Sequence, residues 1–456
     1  MTTKRPLIAL LLAVLVFTGQ GCGGGSAVTE KPLTLTIWNV FDQDDAFKDI
    51  MLAYQKVHPN VSFDYRQLRV EEYRDELLRA FAEGTGPDIF AVHNDGVGEY
   101  KSLIAPLPAT LAIPYTEIKG TIKKEKVTTV RTEATISPAN VRRDFVDVVA
   151  LDAVLPYQAT PNAQTEERVW GLPMALDTMV MYVNKDLLNA AGIAQPPQDW
   201  TTFQDAVAKL TRVGPENAVV QSGAAIGTSR NVERAFDILT LLMMQNGTQM
   251  TDDRGRPTFA SYEAPDRTSP GQDAVRFYTD FANPLKKVYA WNADLPPSFD
   301  AFVTGRTAFF FGYAYHLPQI RARAPRLNFA IAPMLQIQGG RVVNTANYWL
   351  QTVSKSSKNQ NYAWDFVQFA TRADNVTSYL EYAKKPTARR ALIQSQIANE
   401  DLSVFVSQVL TAKSWYRGSN ATSAEQAFLD LIDDALAGVE IEDAIREAQN
   451  KVSQSL

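Results

Sequence analysis

Cysteine is almost absent: the 456-residue chain holds one, Cys22. With no second thiol there is no intramolecular disulfide, so stability must come from burial. Histidine is nearly as scarce. His58, His93 and His316 show no His-x-x-x-His spacing, which gives no basis for a metal centre or a His-activated nucleophile. There is no basic excess either, since the formal net charge is −5, whereas a nucleic-acid surface needs clustered Lys and Arg. Long apolar runs are missing beyond the N-terminus. Leu7 to Phe17, preceded by Lys4 and Arg5, is too short to span a bilayer and has the form of an export signal.

What is present is the composition of a globular protein, 45% hydrophobic and 21% charged. The length is about three times that of a typical single domain, so two lobes with separate cores are expected. Leu33 to Trp38 alternates with period 2. A helix follows with Phe47, Ile50, Met51, Tyr54 and Val57 on one face, then a strand at Val61 to Tyr65. A second helix carries Val70, Tyr73, Leu77, Leu78 and Phe81, stops at Gly84, and leads to the strand Ile89 to Val92. This strand–helix alternation predicts a parallel α/β sheet, whose ligands sit beyond the carboxyl ends of the strands. Trp38 falls at such an end and reads equally as core or as a ligand platform. Asp42, Asp44 and Asp45 read as complements to the next helix dipole. Asn94 and Asp95 also follow a strand, and Asp95 suits either a ligand or a helix N-cap.

The stretch Val169 to Leu188 carries most of the organisation. Trp170-Gly171-Leu172-Pro173 is a turn-capable entry, and Met179 to Val183 is an apolar run of the kind buried on both faces in a parallel sheet. Asp177 stands between them, where a carboxylate serves a ligand hydroxyl or a capped turn. Gly-Leu-Pro, the acidic residue four positions after Pro173, Tyr182 to Leu188 and the continuation Ala191-Gly192-Ile193, Pro196-Pro197 and Trp200 resemble the solute-binding proteins of carbohydrate ABC transporters, of the maltose-binding-protein type. Phe302 to Tyr313 is similar to a second motif of that family. Cys22, followed by Gly23-Gly24-Gly25-Ser26, resembles a lipoprotein lipobox, except that Gly19 stands where an aliphatic residue is usual.

The resemblance implies an α/β, two-lobe periplasmic-binding-protein fold. It divides the chain into a signal and lipobox (1–22), a flexible linker (23–32), a first lobe (33–172 and 336–388) and a second lobe (173–335 and 389–456), with crossings near Pro173 to Thr178 and Pro333 to Gln336. It also implies a sugar cleft at Asp95, Asp177, Gly312, Tyr313 and Trp415, with Tyr315 a further candidate of the second motif. Trp38, Asn94 and Trp349 join these as residues after predicted strands. Cys22 would be the lipidation site, the partners a carbohydrate and the permease subunits of a transporter, and the protein an exported monomer with no cofactor, metal or catalytic step. Charged residues between Lys119 and Lys126 read as a solvated loop or short hairpin. The alternatives are an exported glycosidase, for which Asp95 and Asp177 would be the carboxylate pair, and a binding protein for iron, peptide or polyamine.

Overall fold

The computed structural model describes residues 31–120, 125–262 and 269–456. Cys22, the export segment and most of the expected linker lie outside them. In the first lobe a five-stranded sheet runs in the order Val61–Leu68, Leu33–Val40, Ile89–His93, Trp349–Val353, Leu172–Pro173. The first three strands are parallel, as strand–helix alternation requires. Trp349–Val353 is antiparallel to both its neighbours. Helix Lys48–Val57 buries Ile50, Met51 and Tyr54, and helix Val70–Ala82 buries Tyr73, Leu77 and Ala80. Period-3.6 spacing thus delivers one apolar stripe per helix to the sheet.

The second lobe has its own five-stranded sheet, ordered Arg212–Val213, Val219–Ala224, Thr307–Gly312, Val180–Asn184, Phe329–Ala332. Every residue of Val180–Asn184 is buried, yet the strand is antiparallel to both neighbours. The parallel expectation is therefore corrected. Val180 and Tyr182 face one core cluster while Met181 and Val183 face another, so the run reports burial on both faces and carries no information on direction. Asp199 caps the helix Trp200–Leu210, its carboxylate accepting from the Thr202 N–H at 2.8 Å.

A third, three-stranded sheet joins the lobes. It pairs Asn344–Asn347 with Asp177–Thr178 on one side and Ala412–Lys413 on the other. Core membership switches across each of these short strands: Leu176 packs in the first core and Met179 in the second, Val343 in the second and Ala346 in the first, Ala412 in the first and Trp415 in the second. The chain therefore crosses three times, and residues assigned from sequence to the second lobe after 388, such as Ile393, Leu402, Val406 and Val409, pack into the first core. An amphipathic pattern says that a helix buries a face, not which lobe receives it. Around the charged run, Thr110–Lys119 and Glu125–Ala134 form an antiparallel hairpin; residues 121–124 of that run lie outside the described residues.

One side chain ties the crossings together. Buried Gln408 donates to the Thr178 hydroxyl (3.1 Å) and the Met179 carbonyl (3.0 Å), and accepts from the Met334 N–H (2.8 Å). Gln408→Met keeps the volume but orphans that buried N–H and carbonyl, so it is expected to cost roughly 1–3 kcal/mol. Urea unfolding checks this: an unchanged midpoint would show that the amide is not holding the crossings.

Candidate ligand cleft

Between the lobes lies a cleft of about 1480 Å³. Its first-lobe wall comes from the carboxyl ends of strands, at Asn39 to Asp42 and at His93 and Asp95, together with Asn347 to Trp349. Its second-lobe wall includes Arg234, Tyr315, Gln319 and Glu425, and Asp177 lies at the crossing, paired with Asn347. Strand ends converge here because every residue further back is needed to fill the sheet.

Three of the expected site residues line this cleft: Asp95, Asp177 and Trp349. The Asp95 carboxylate lies 2.5 Å from His93 Nδ1, and His93 Nε2 is 3.2 Å from the Asn347 amide oxygen. Burial disfavours the charge on both partners, but their mutual attraction outweighs it, holding Asp95 below the usual carboxylate range and His93 above its own. Asp177 accepts one backbone N–H on each oxygen, from Thr178 and Ala314, both at 2.8 Å. Burial nonetheless pushes its carboxyl up to about 7, against those hydrogen bonds. The Trp349 ring is set edge-on by Phe41 (6.1 Å), Tyr73 (6.0 Å) and His93 (5.3 Å).

The other five lie outside this lining, although Asn94 and Trp415 line a small adjoining pocket that shares His93, Asp95, Arg234 and Asn347 with the cleft. Trp38 is not the last strand residue, since the strand continues to Val40; its ring is covered by the Arg66 guanidinium at 4.7 Å, outside the cleft lining. Asn94 is buried, its backbone and side chain both bonded to Tyr348. Gly312 is needed for packing: a Cβ there would stand 2.7 Å from His316 Nδ1 and from the Phe310 ring. Tyr313 is wholly buried, its hydroxyl donating to Asp237 at 2.6 Å. Trp415 packs among Phe236, Phe259 and Phe428 in the second core. Of the residues that motif offers, the aromatic that reaches the cleft is Tyr315, 42% exposed and stacked on Tyr313.

Sequence reading missed several lining residues. Phe41 is an exposed aromatic held at φ 65°, a left-handed conformation that a bulky side chain adopts at a cost of order 1–3 kcal/mol. Asp42, read as a helix-dipole partner, instead receives Lys385 Nζ on both oxygens at 2.7 Å and the Tyr379 hydroxyl at 2.8 Å. Arg234 also has a left-handed backbone (φ 60°) and clamps Asp237 through two bonds of 2.7 and 3.0 Å. Glu425 lies near it, its carboxyl raised by burial against the pull of Arg234. None of these positions belongs to a motif; Asp42 takes its role from partners more than 300 residues away, and Phe41 and Arg234 from backbone conformations that spacing does not reveal. No group of His, Cys, Asp and Glu among the described residues is arranged to hold a metal.

The fold is that of known proteins. A cyclic α-maltosyl-1,6-maltose binding protein from Arthrobacter globiformis superposes with a TM-score of 0.70 at 17% identity, covering 93% of this chain and 99% of that one. In sequence, an uncharacterized lipoprotein in the oleD 5′ region of Streptomyces antibioticus is 26% identical over 219 residues, and the galactooligosaccharide-binding protein of Bacillus subtilis is 20% identical over 215 residues. Each alignment covers 46% of this chain, and the match spans only 40% and 42% of these curated relatives. The family model for bacterial extracellular solute-binding proteins matches residues 40–377. Because that match takes in most of both lobes and all of the first two crossings, this chain belongs to the bacterial extracellular solute-binding proteins.

Proposed function

We propose that the protein captures a carbohydrate between its lobes and presents it to the permease of an ABC transporter, acting as an exported monomer anchored by a lipid on Cys22, without catalysing a reaction. The observation that carries this reading is the composition of the cleft: aromatic rings from opposite lobes, Trp349 and Tyr315, beside the carboxylates Asp95 and Asp177. A sugar presents C–H groups on its ring face and hydroxyls at its rim. Rigid aromatics cover the first at little entropic cost, and carboxylates accept from the second. At about 1480 Å³ the cleft exceeds the roughly 300–1,000 Å³ that serves a small ligand, which favours an oligosaccharide. The Arthrobacter and Bacillus relatives, both named as binders of oligosaccharides, support the same class. The Streptomyces relative, named as a lipoprotein, supports the anchor.

Capture needs a ligand that favours the closed arrangement by a few kcal/mol. Thermal melting of the mature chain with malto- and galacto-oligosaccharides tests the reading. At least one is expected to raise the melting temperature in proportion to the logarithm of its concentration and to be recovered intact after long incubation. Stabilisation only by peptides, polyamines or ferric iron would overturn it, and a shortened sugar would point to the glycosidase.

Trp349→Ala is expected to weaken binding by roughly tenfold while leaving apo melting nearly unchanged. Trp415→Ala is expected to cost about 3–5 kcal/mol of apo stability. Calorimetry beside denaturation checks both, and the opposite pattern would exchange their roles.

Asp177 gives a pH signature. Its folded value of about 7 is above the ordinary 3.8, so the native state holds a proton that the unfolded state has released between those values. This group's contribution to apo stability is therefore full below about pH 4 and is lost as pH rises through 7. A sugar hydroxyl donating to ionised Asp177 has the reverse preference, so affinity should rise between pH 6 and 8. Asp177→Asn is expected to flatten both profiles; an unaltered pH dependence in calorimetry would free Asp177 of either role.

Cys22→Ser tests the anchor. The variant is expected to lose incorporation of labelled fatty acid and to leave the membrane fraction, and continued membrane retention would place the anchor elsewhere.

A further inference from the structure

The segment Ser414–Gly418, which follows the last hinge strand, is held by both lobes at once. Toward the second lobe, Trp415 packs against Phe428 (5.5 Å) and the Tyr416 hydroxyl donates to the Ser455 carbonyl at 2.6 Å while accepting the Asn420 N–H at 3.0 Å. Ser414 and Arg417 reach the other way. Both donate to one oxygen of Asp152 in the first lobe, the serine hydroxyl at 2.5 Å and the guanidinium at 3.0 Å. Arg417 Nε also donates to the Leu151 carbonyl at 3.1 Å.

Asp152 is buried, and its second oxygen receives the Tyr348 hydroxyl at 2.7 Å and the Asn94 amide at 3.4 Å. A carboxylate withdrawn from water persists only where its lone pairs are filled. Here the filling of one whole oxygen depends on a segment rooted in the opposite lobe. The backbones meet beside it. A Cβ on Gly98, in the first lobe, would overlap the Gly418 carbonyl oxygen and stand 2.9 Å from that of Arg417. Gly418 is equally confined, with Tyr416 and the Ser455 carbonyl on its other side.

We propose that Asp152 and the Ser414–Gly418 segment form a permanent joint between the lobes, with Arg417 and Gly98 as positioning residues that set the angle at which the two walls of the cleft face each other. The cleft opens and closes about this joint without breaking it. Its place directly after the hinge strand Ala412–Lys413 suits a pivot, where displacement is least and any wedge is magnified at the cleft mouth. This goes beyond the reading of the ligand and holds whatever solute is bound.

Because Cys22 is the only cysteine, the mature chain lacking it accepts spin labels at two chosen sites. Gln319→Cys and Glu381→Cys place them on exposed residues of opposite walls, and double electron–electron resonance then reads the distance between lobes without ligand. Gly98→Ala is expected to move the mean distance, since the segment must yield by about 1 Å to reach ordinary contact. Arg417→Ala is expected to broaden the distribution, and Arg417→Lys to narrow it again in part. Arg446→Ala, a surface arginine paired among the described residues with Glu442 and Asp443 of its own helix, should leave it as in the parent. Unchanged distributions for both Gly98→Ala and Arg417→Ala, with or without a lower melting temperature, would overturn the joint and make these contacts packing alone.

Discussion

The structure depends on one constraint: two hydrophobic cores must be built from a single chain that passes between them three times, and each passage has to satisfy its own backbone. The solution is the small sheet in which Asn344–Asn347 lies between Asp177–Thr178 and Ala412–Lys413. Pairing the three crossings with one another removes their polar groups from competition with either core. Gln408, just ahead of the last passage, adds a side-chain tie to the first by donating to the Thr178 hydroxyl and the Met179 carbonyl. Because these strands are so short, the lobes are joined at a line and leave a deep cleft on one side of it.

That arrangement explains the chemistry of the cleft. Residues within each sheet are committed to burial, so those at strand ends, at crossings and on the helix faces that border the cleft are the ones free to meet a solute. The first lobe contributes the charged pair His93–Asp95 and the Trp349 ring, and the second contributes Tyr315 and Arg234, the latter held from behind by Asp237. Phe41 and Arg234 both keep left-handed backbones at the cleft wall. Strain of this kind persists only where the surroundings over-determine it, and at Arg234 the surroundings are the two bonds to Asp237, itself fixed by Tyr313.

Much of the fold was legible because it rests on short-range pattern. The helical stripes of Lys48–Val57 and Val70–Ala82 and the alternation of the first strand are properties of a few neighbouring residues, and they force a parallel α/β start to the chain. What was illegible depends on distant partners. Strand direction at Val180–Asn184 is set by Thr307–Gly312 and Phe329–Ala332. The lobe that receives 389–412 is set by packing, and the role of Asp42 by Lys385. The site shows the same division. Asp95 and Trp349 reach the cleft as residues read after strands, and Asp177 as the acidic residue of a motif, whereas Tyr313 points into the core, because an aromatic near an element end looks alike whether it points into a core or into a cleft.

We propose that an oligosaccharide draws the two lobes together about the hinge sheet. Small-angle X-ray scattering of the mature chain, alone and with saturating members of a panel of malto- and galacto-oligosaccharides, tests it most directly. At least one sugar should reduce the radius of gyration, with a midpoint that matches its binding curve. Compaction produced only by a metal ion, a peptide or a polyamine, with every sugar leaving the curve unchanged, would contradict the account.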